Sequence, residues 1–378
     1  MKTVPLKDVC QISMGQAPDG SSYNDLGEGF PLIAGAGDFG PLSPKPKKFT
    51  TEPTRVSEVD DVILCIRATI GDLNWSDKAY CLGRGVAGLR PDGNKLDKHY
   101  LWHWLTSQKD FLFSQGTGST FKQISRSTID DLQIPLPPLP EQKRIAAILD
   151  KADAIRRKRQ QAVKLTEELL RSVFLDMFGD PVTNPKGWPQ APIKEFGMVM
   201  TGNTPSREKP EYYGEKIEWI KSDNINTPYH YLTEARERLS EEGQKVGRIV
   251  PAGSILVTCI AGSPECIGNV ALSNRDVAFN QQINAISPFE GIDSFFLYSQ
   301  ILVAKKLIQG ESTESMKGMV NKGKFENILL IKPPIELQKK YCGIFKKLEV
   351  LSHKNDKAFN NSATLFTSLL QRAFRGEL

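Results

Sequence analysis

No stretch of this 378-residue sequence approaches the roughly 18 consecutive apolar residues of a membrane span. Its start, MKTVPLKDVC, carries no apolar core of the kind that marks an export signal. The expectation is a cytoplasmic chain with no membrane contact. The six cysteines, Cys10, Cys65, Cys81, Cys259, Cys266 and Cys342, include no CxxC pair. Scattered in this way, they read as reduced thiols rather than as a disulfide framework. A large excess of one charge is also missing, since 49 Lys and Arg stand against 44 Asp and Glu, a net of +5. That excludes histone-like or polybasic-tail behaviour and leaves room for a local basic groove.

Catalytic motifs are equally scarce. There is no GxxxxGK[ST] phosphate loop, and no Asn-Pro-Pro-aromatic or Asp-Pro-Pro-aromatic motif of an adenine-methylating pocket. Gly35-Ala-Gly37-Asp-Phe-Gly40 matches GxGxxG, but Pro41, Pro44 and Pro46 follow where a nucleotide site needs a helix to open. His99 and His103 share a helical spacing without a third metal ligand at suitable spacing, beside Trp102 and Trp104 that suggest packing. Glu141-Gln-Lys143 is a loose nuclease-like match that a helix start explains better. The expectation is a chain that is not an enzyme and that binds no metal and no cofactor.

What the sequence does have is a repeat. Adding 196 to each number lays Pro137 on Pro333, Gln142 on Gln338, Ile148 on Ile344, Lys158 on Lys354, Leu169 on Leu365 and Phe178 on Phe374, without a gap. The preceding segments correspond more loosely: Gly15 and Pro18 match Gly202 and Pro205, and Gly71 through Pro91 can be laid on Gly268 through Pro288. The organisation is A–B–A′–B′, with segments 1–136, 137–180, 181–332 and 333–378.

Each B segment reads as one long helix. Between Leu139 and Phe178 the only breaker is Pro140, tolerated in a first turn, and Gly179 and Pro181 stop the run. Apolar residues recur at Ile145, Ile148, Ala152, Ile155, Ala162, Leu169, Val173 and Met177, and in the second copy at Leu337, Tyr341, Ile344, Leu348, Leu351, Ala358, Phe366, Leu369 and Ala373. Two such seams in one chain predict an antiparallel coiled coil, each helix roughly 60 Å long at about 1.5 Å per residue. Arg156-Arg-Lys-Arg159 reads as a solvated face or as one that meets phosphates.

Each A segment alternates short apolar runs with turns and then enters a helical stretch, His99 to Phe113 or Ser294 to Ile308. The fold class is α+β: two pseudo-repeated α/β recognition domains separated by two long helices. Basic residues in Gly-, Ser- and Asn-rich loops make DNA contact the candidate activity. They are Lys45, Lys47, Lys48, Arg67, Arg84, Lys122 and Arg126 in the first unit, and Lys221, Arg236, Arg238, Lys317, Lys322 and Lys324 in the second. Arg84 has the donors to pair with guanine, and Gln281 and Gln282, at the positions of Arg84 and Gly85, suit adenine.

The connector Ile134-Pro-Leu-Pro-Pro-Leu-Pro-Glu-Gln-Lys-Arg-Ile145 follows Gly116-Thr-Gly-Ser-Thr-Phe-Lys122 and leads into a long helix. With the C-terminal Gln371-Arg-Ala-Phe-Arg-Gly-Glu-Leu378 it resembles the specificity subunit of type I restriction–modification enzymes, over the whole chain. The second copy departs from the motif, reading Ile331-Lys-Pro-Pro-Ile-Glu-Leu-Gln338, with Leu337 in the place of Glu141. The resemblance implies a non-catalytic reader of double-stranded DNA. Each recognition domain would take half of a bipartite asymmetric target, and the helices would set the spacer. It also implies two modification subunits that bind S-adenosylmethionine and methylate adenine, and restriction subunits that use ATP and Mg. Two other readings stay open: a scaffold whose duplicated domains bind proteins, and the recognition part of a single-chain restriction system.

Overall fold

The runs Val62–Cys65 and Ile255–Thr258 are buried at every position, so each strand needs cover on both faces. A computed structural model describes residues 2–118, 122–227, 229–312 and 318–378 and shows what that cover is. By contacts the chain divides into two units, one of residues 1–161 with 356–378 and one of residues 162–355. Each unit therefore holds one A segment together with part of both long helices.

In the first unit the strands are β1 (Thr3–Pro5), β2 (Cys10–Met14), β3 (Tyr23–Asn24), β4 (Phe30–Ile33), β5 (Lys48–Thr50), β6 (Val62–Cys65), β7 (Leu73–Trp75), β8 (Cys81–Leu82), β9 (Val86–Pro91) and β10 (Gln133–Pro135). The helices are α1 (Lys98–Ser107), α2 (Lys109–Ser114), α3 (Arg126–Asp130) and the start of the long α4 (Leu139–Phe178). An antiparallel sheet runs β2-β9-β6-β7, and a smaller one runs β3-β5-β4-β8 with β4 and β8 parallel. Successive side chains of β6 point to opposite faces. Val62 and Leu64 share a core with Tyr100, Leu101 and Trp104 of α1, whereas Ile63 joins Ile33, Tyr80 and Leu82 on the side of the smaller sheet.

The second unit contains β11 (Gln190–Pro192), β12 (Gly197–Thr201), β13 (Tyr213–Ile220), β14 (Arg238–Leu239), β15 (Ile249–Val250), β16 (Ile255–Thr258), β17 (Ile260–Ala261), β18 (Val270–Leu272), β19 (Val277–Phe279), β20 (Ile283–Pro288), β21 (Gly318–Met319) and β22 (Leu329–Ile331). Its helices are α5 (Glu241–Val246), α6 (Ser294–Val303), α7 (Lys305–Gly310), α8 (Lys322–Glu326) and the start of α9 (Ile335–Arg375). The topology repeats: an antiparallel sheet β12-β20-β16-β18, and a second sheet β14-β13-β19-β15 with β13 and β19 parallel. Ile255 and Val257 face Phe296 and Leu297 of α6, and Leu256 faces Ile220 and Phe279.

The bounds of α1, α2, α3 and β10 each differ from those of α6, α7, α8 and β22 by 196. The register seen from Pro137 onward thus extends back to the capping residues. Asp97 accepts from the amides of His99 and Tyr100, and Asp293 from those of Phe295 and Phe296. The helices predicted over His99 to Phe113 and Ser294 to Ile308 are each broken, at Gln108 and Ala304. At Gln108 the amide bonds both Trp104 and Leu105 carbonyls, tightening the last turn.

Opposite ends of the long helices pair. In the first unit Ile145 and Leu149 of α4 share a core with Phe366, Leu370 and Ala373 of α9; in the second, Leu170, Phe174 and Phe178 meet Tyr341 and Phe345. The predicted seam is displaced at its middle, where Ile155, Leu169 and Leu351 are exposed. The buried residues of α4 are Gln142, Ile145, Ala146, Leu149 and Asp153, and then Thr166, Leu170, Phe174 and Phe178. They fall in two runs on either side of the stretch 154–165, which has no buried residue, and Ile155 and Leu169 lie off both. The middle is consequently polar: Asp153 pairs with Arg156 at 2.7 Å and Arg157 at 3.3 Å, and Asn355 donates to Thr166 at 3.0 Å. Half of the basic run Arg156–Arg159 is therefore spent on a buried aspartate.

His99 and His103 of α1 both meet Asp150 of α4, at 3.1 and 2.8 Å. Burial works against ionisation of Asp150, but the hydrogen bond from His103 and the charges of both imidazoles hold it below the usual carboxylate range. A depressed folded-state pKa contributes stability that is present above the unfolded value and lost as pH falls through the folded one. Asp150→Asn should therefore lower the Tm at pH 7, and the gap to the parent protein should close in melts taken below the carboxylate range. A gap that persists unchanged in acid would mean that the pair does not contribute through its charge.

Candidate nucleic-acid interface

The turn between β8 and β9 is where the first unit's chain crosses from one sheet to the other. The amide of Gly83 donates to the Ile33 carbonyl at 2.8 Å and that of Gly85 to Ala34 at 3.1 Å, while the Gly85 carbonyl accepts from Ile66 at 2.9 Å. A Cβ on Gly85 would stand 2.2 Å from the Ala34 oxygen, so only glycine closes this approach. Arg84 at the tip is exposed. Around it opens a cleft of about 1100 Å³, lined by Lys47, Lys48, Arg67 and Arg84 and by the carboxylates of Asp38 and Asp72.

Four candidates spread over 38 positions thus share one cleft. Both carboxylates are already engaged: Asp38 accepts from the Ala34 amide at 2.7 Å, and Asp72 pairs with Lys109 at 2.5 Å. Among the described residues no carboxylate pairs with Lys47, Lys48 or Arg84, so the cleft presents positive charge. Lys45 is exposed on the same loop. Lys122 is tied to the Arg67 loop, its carbonyl accepting from the Ala68 amide at 3.0 Å, and its ammonium lies 4.5 Å from the Phe113 ring centre. Arg126 lies at the start of α3 and approaches Asp130 at 3.4 Å.

The second unit treats its cations differently. Lys221 pairs with Glu237 and lies 5.0 Å from the Trp219 ring centre; Arg207 shares Glu237 at 2.7 Å and stacks 4.3 Å over Tyr213. Hydrogen bonds from Lys221 and Arg207 hold Glu237 below the usual range. Arg238 reaches Glu234 at 2.9 Å and Glu218 at 4.0 Å. Burial pushes Glu218 up, but Arg275 and the Ala235 amide bond its charged form and keep it low. Lys322 approaches Glu326 at 3.8 Å, and Lys324 donates to the Glu311 carbonyl at 3.1 Å. Arg236 is exposed and has no carboxylate partner among the described residues. Lys317 lies outside the described residues, as do positions 119–121 of the Gly116–Lys122 motif.

Gln281 is exposed, and its Oε1 accepts from the Thr204 hydroxyl. Gln282 is half-buried, its Oε1 taken by Asn280 Nδ2 at 3.0 Å. The aromatic setting of Arg207 escaped the sequence reading. Arg207, Tyr213 and Trp219 stand six residues apart, and neither helical nor strand periodicity flags that spacing.

Reactive chemistry finds little here. Ala36–Asp38 is a single 3₁₀ turn followed by extended chain, so the glycine-rich loop leads into no helix. Burial pushes the thiols of Cys10 and Cys259 up to about 12, which leaves them poor nucleophiles. Among the described residues no group of three or more His, Cys, Asp or Glu is placed to hold a metal, and no helix is long and apolar enough to cross a membrane.

Known proteins share this architecture. The family model described as type I restriction modification DNA specificity domain matches residues 1–165 and again 185–362. The chain is 35% identical over 168 residues to the putative type I restriction enzyme MjaX specificity subunit of Methanocaldococcus jannaschii, across 44% of this chain and 40% of that relative. It is 30% identical over 203 residues to the HindI specificity subunit of Haemophilus influenzae, across 51% and 42%. These matches span less than half of either relative. A match to the EcoBI specificity subunit of Escherichia coli, at 24% identity, covers 99% of this chain and 85% of that one. The solved S subunit of a type I restriction–modification system from M. genitalium has the same fold, with a TM-score of 0.62 at 16% identity over 99% and 96% of the two chains. Matched twice by one family model across most of its length, the chain belongs to the type I restriction–modification DNA specificity family.

Proposed function

We propose that this chain is the sequence-reading subunit of a type I restriction–modification complex. Each unit takes one half of a bipartite, asymmetric site in double-stranded DNA, and the two long helices fix the number of unread base pairs between the halves. The chain is non-catalytic and binds no cofactor. Two modification subunits supply adenine methylation from S-adenosylmethionine, and restriction subunits supply ATP- and Mg-dependent translocation and cleavage.

The observation that carries this reading is the pair of sheets built twice, each with an exposed turn at its crossing and, in the first unit, a cationic cleft around it. Two similar readers joined through α4 and α9 suit a target in two halves. The exposed apolar residues of those helices support the partner assignment. Ile155 and Leu351 are one pair in the 196 register, and Leu169 and Leu365 are another. Exposed apolar positions that recur in the 196 register suit two copies of one partner.

Salt tests the electrostatic part. Replacing Lys45, Lys47 and Lys48 by Ala should weaken binding to all duplexes alike. It should also flatten the slope of log K against log salt by about one unit for each phosphate that is no longer neutralised. Wild-type affinity and slope in that variant would remove the cleft from the DNA surface.

The helices are tested by length. Inserting seven residues in each, between Ala152 and Ala162 and between Leu348 and Ala358, adds roughly 10 Å at about 1.5 Å per residue. At about 3.4 Å per base step, that is about three base pairs. Selection from a random-spacer library should return both half-sequences unchanged and a spacer lengthened accordingly. An unaltered spacer in a variant that still binds would show that the helices do not set it.

A further inference from the structure

The turns at the two sheet crossings are one structure built from different residues. Asn280 donates to Ile220 as Gly83 does to Ile33, at 3.0 and 2.8 Å. The Gln282 carbonyl accepts from Ile260 as that of Gly85 does from Ile66, at 3.1 and 2.9 Å. Gly202 donates to Ile283 as Gly15 does to Val86, and Asn203 to Phe279 as Gln16 does to Leu82. In both units the turn closes on itself at 3.2 Å, Val86 to Gly83 and Ile283 to Asn280. This places Arg84 and Gln281 at the same tip, both exposed, with the residues on either side of each tied down.

We propose that this tip is the base-reading position of each unit, Arg84 taking a guanine in one half-site and Gln281 an adenine in the other. The inference rests on the DNA-reading function proposed above and names the residues that give it sequence preference. A guanidinium offers two parallel donors to O6 and N7 of guanine, and a carboxamide offers an acceptor and a donor to N6 and N7 of adenine. Both need a fixed base, because a paired hydrogen bond demands orientation as well as reach. The glycines flanking Arg84 and the side-chain bonds around Gln281 supply it. Thr204, two residues beyond Gly202, donates to Gln281 Oε1 and orients the amide. At the matching place, two residues beyond Gly15, stands Ala17, which lines the cleft beside Arg84 and leaves it free to reach.

The neighbours sort themselves by contrast. Lys47 and Lys48 are point charges on flexible stems, suited to phosphates rather than to the planar edge of a base. Gln282 is half-buried and its Oε1 accepts from both Asn280 Nδ2 and the Ser222 hydroxyl, whereas Gln281 is exposed and its Oε1, bonded to Thr204, has a second lone pair for a base. Lys221 is spent on Glu237.

The test uses the full-length chain and a random duplex library, followed by titration of the selected duplex and its single-base variants at several salt concentrations. The parent protein should select two half-sequences. Arg84→Gln should exchange one guanine for adenine in one half, with a roughly ten- to hundredfold change in discrimination at that base pair, and leave the other half as it was. Gln281→Arg should do the converse in the other half. Arg84→Lys should keep the salt slope and lose the discrimination, which a phosphate contact would not do. In each variant the untouched half-site reports that the protein is folded. Variants that keep the parental motif while losing affinity evenly, with a slope lower by about one unit, would place these side chains on phosphates and overturn the proposal. A parent protein that selects no sequence would instead overturn the DNA-reading function itself.

Discussion

The fold of each unit depends on burying a central strand on both faces. Val62 and Leu64 need α1 on one side, and Ile63 needs the smaller sheet on the other; Ile255, Leu256 and Val257 set the same demand in the second unit. Once two sheets must meet along one strand, the chain has to cross between them. That crossing is a turn pinned from both sides by backbone bonds. The exposed tips at Arg84 and Gln281 are products of that constraint: rigidity comes from the scaffold, and residue type at the tip is left free to vary. This is a physical reason why the same topology can carry different cations, carboxamides and loops in its two copies.

The duplication, the long helices and the alternation of short strands with turns were legible in the sequence, because each leaves a local or periodic trace. The register was visible only from Pro137, although it runs from Asp97. Between those points the two copies conserve roles more than identities. Asp97 and Asp293 cap, and Lys109 and Lys305 lie over the positive-φ glycines Gly71 and Gly268, but His99, His103 and Trp104 stand opposite Phe295, Ser299 and Gln300. The gathering of Lys47, Lys48, Arg67 and Arg84 was legible as composition and not as a place. Nor could the sequence separate those cations from Lys221 and Arg238. Glu237 lies sixteen residues from Lys221, and the i,i+4 spacing of Glu234 and Arg238 falls outside any helix, where it gives no periodic signal. The helix seam departs from the apolar pattern at Ile155, Leu169 and Leu351, which are exposed, because apolar identity does not by itself fix burial, and the buried positions include Asp153 and Thr166.

That buried row gives the helix pair two kinds of contact. Near the ends it is aromatic and aliphatic: Phe174 meets Tyr341 edge to face at 5.4 Å, and Ile145 and Leu149 share a core with Phe366 and Leu370. Toward the middle, Asp153 is held by Arg156 and Arg157 of its own helix, and the polar bond across the pair is the one from Asn355 to Thr166. Polar pairs of this kind contribute less to stability than the apolar residues they replace, and they accept fewer alternative alignments.

The same polar stretch has a consequence for how the helices breathe. Local opening is least costly where little apolar surface is uncovered, and around Thr166 and Asn355 the contact between the helices is a side-chain hydrogen bond. Backbone amides there should exchange with solvent well before those near Phe174 or Leu149. A deuterium label would then enter each long helix from its middle outward rather than from its frayed ends.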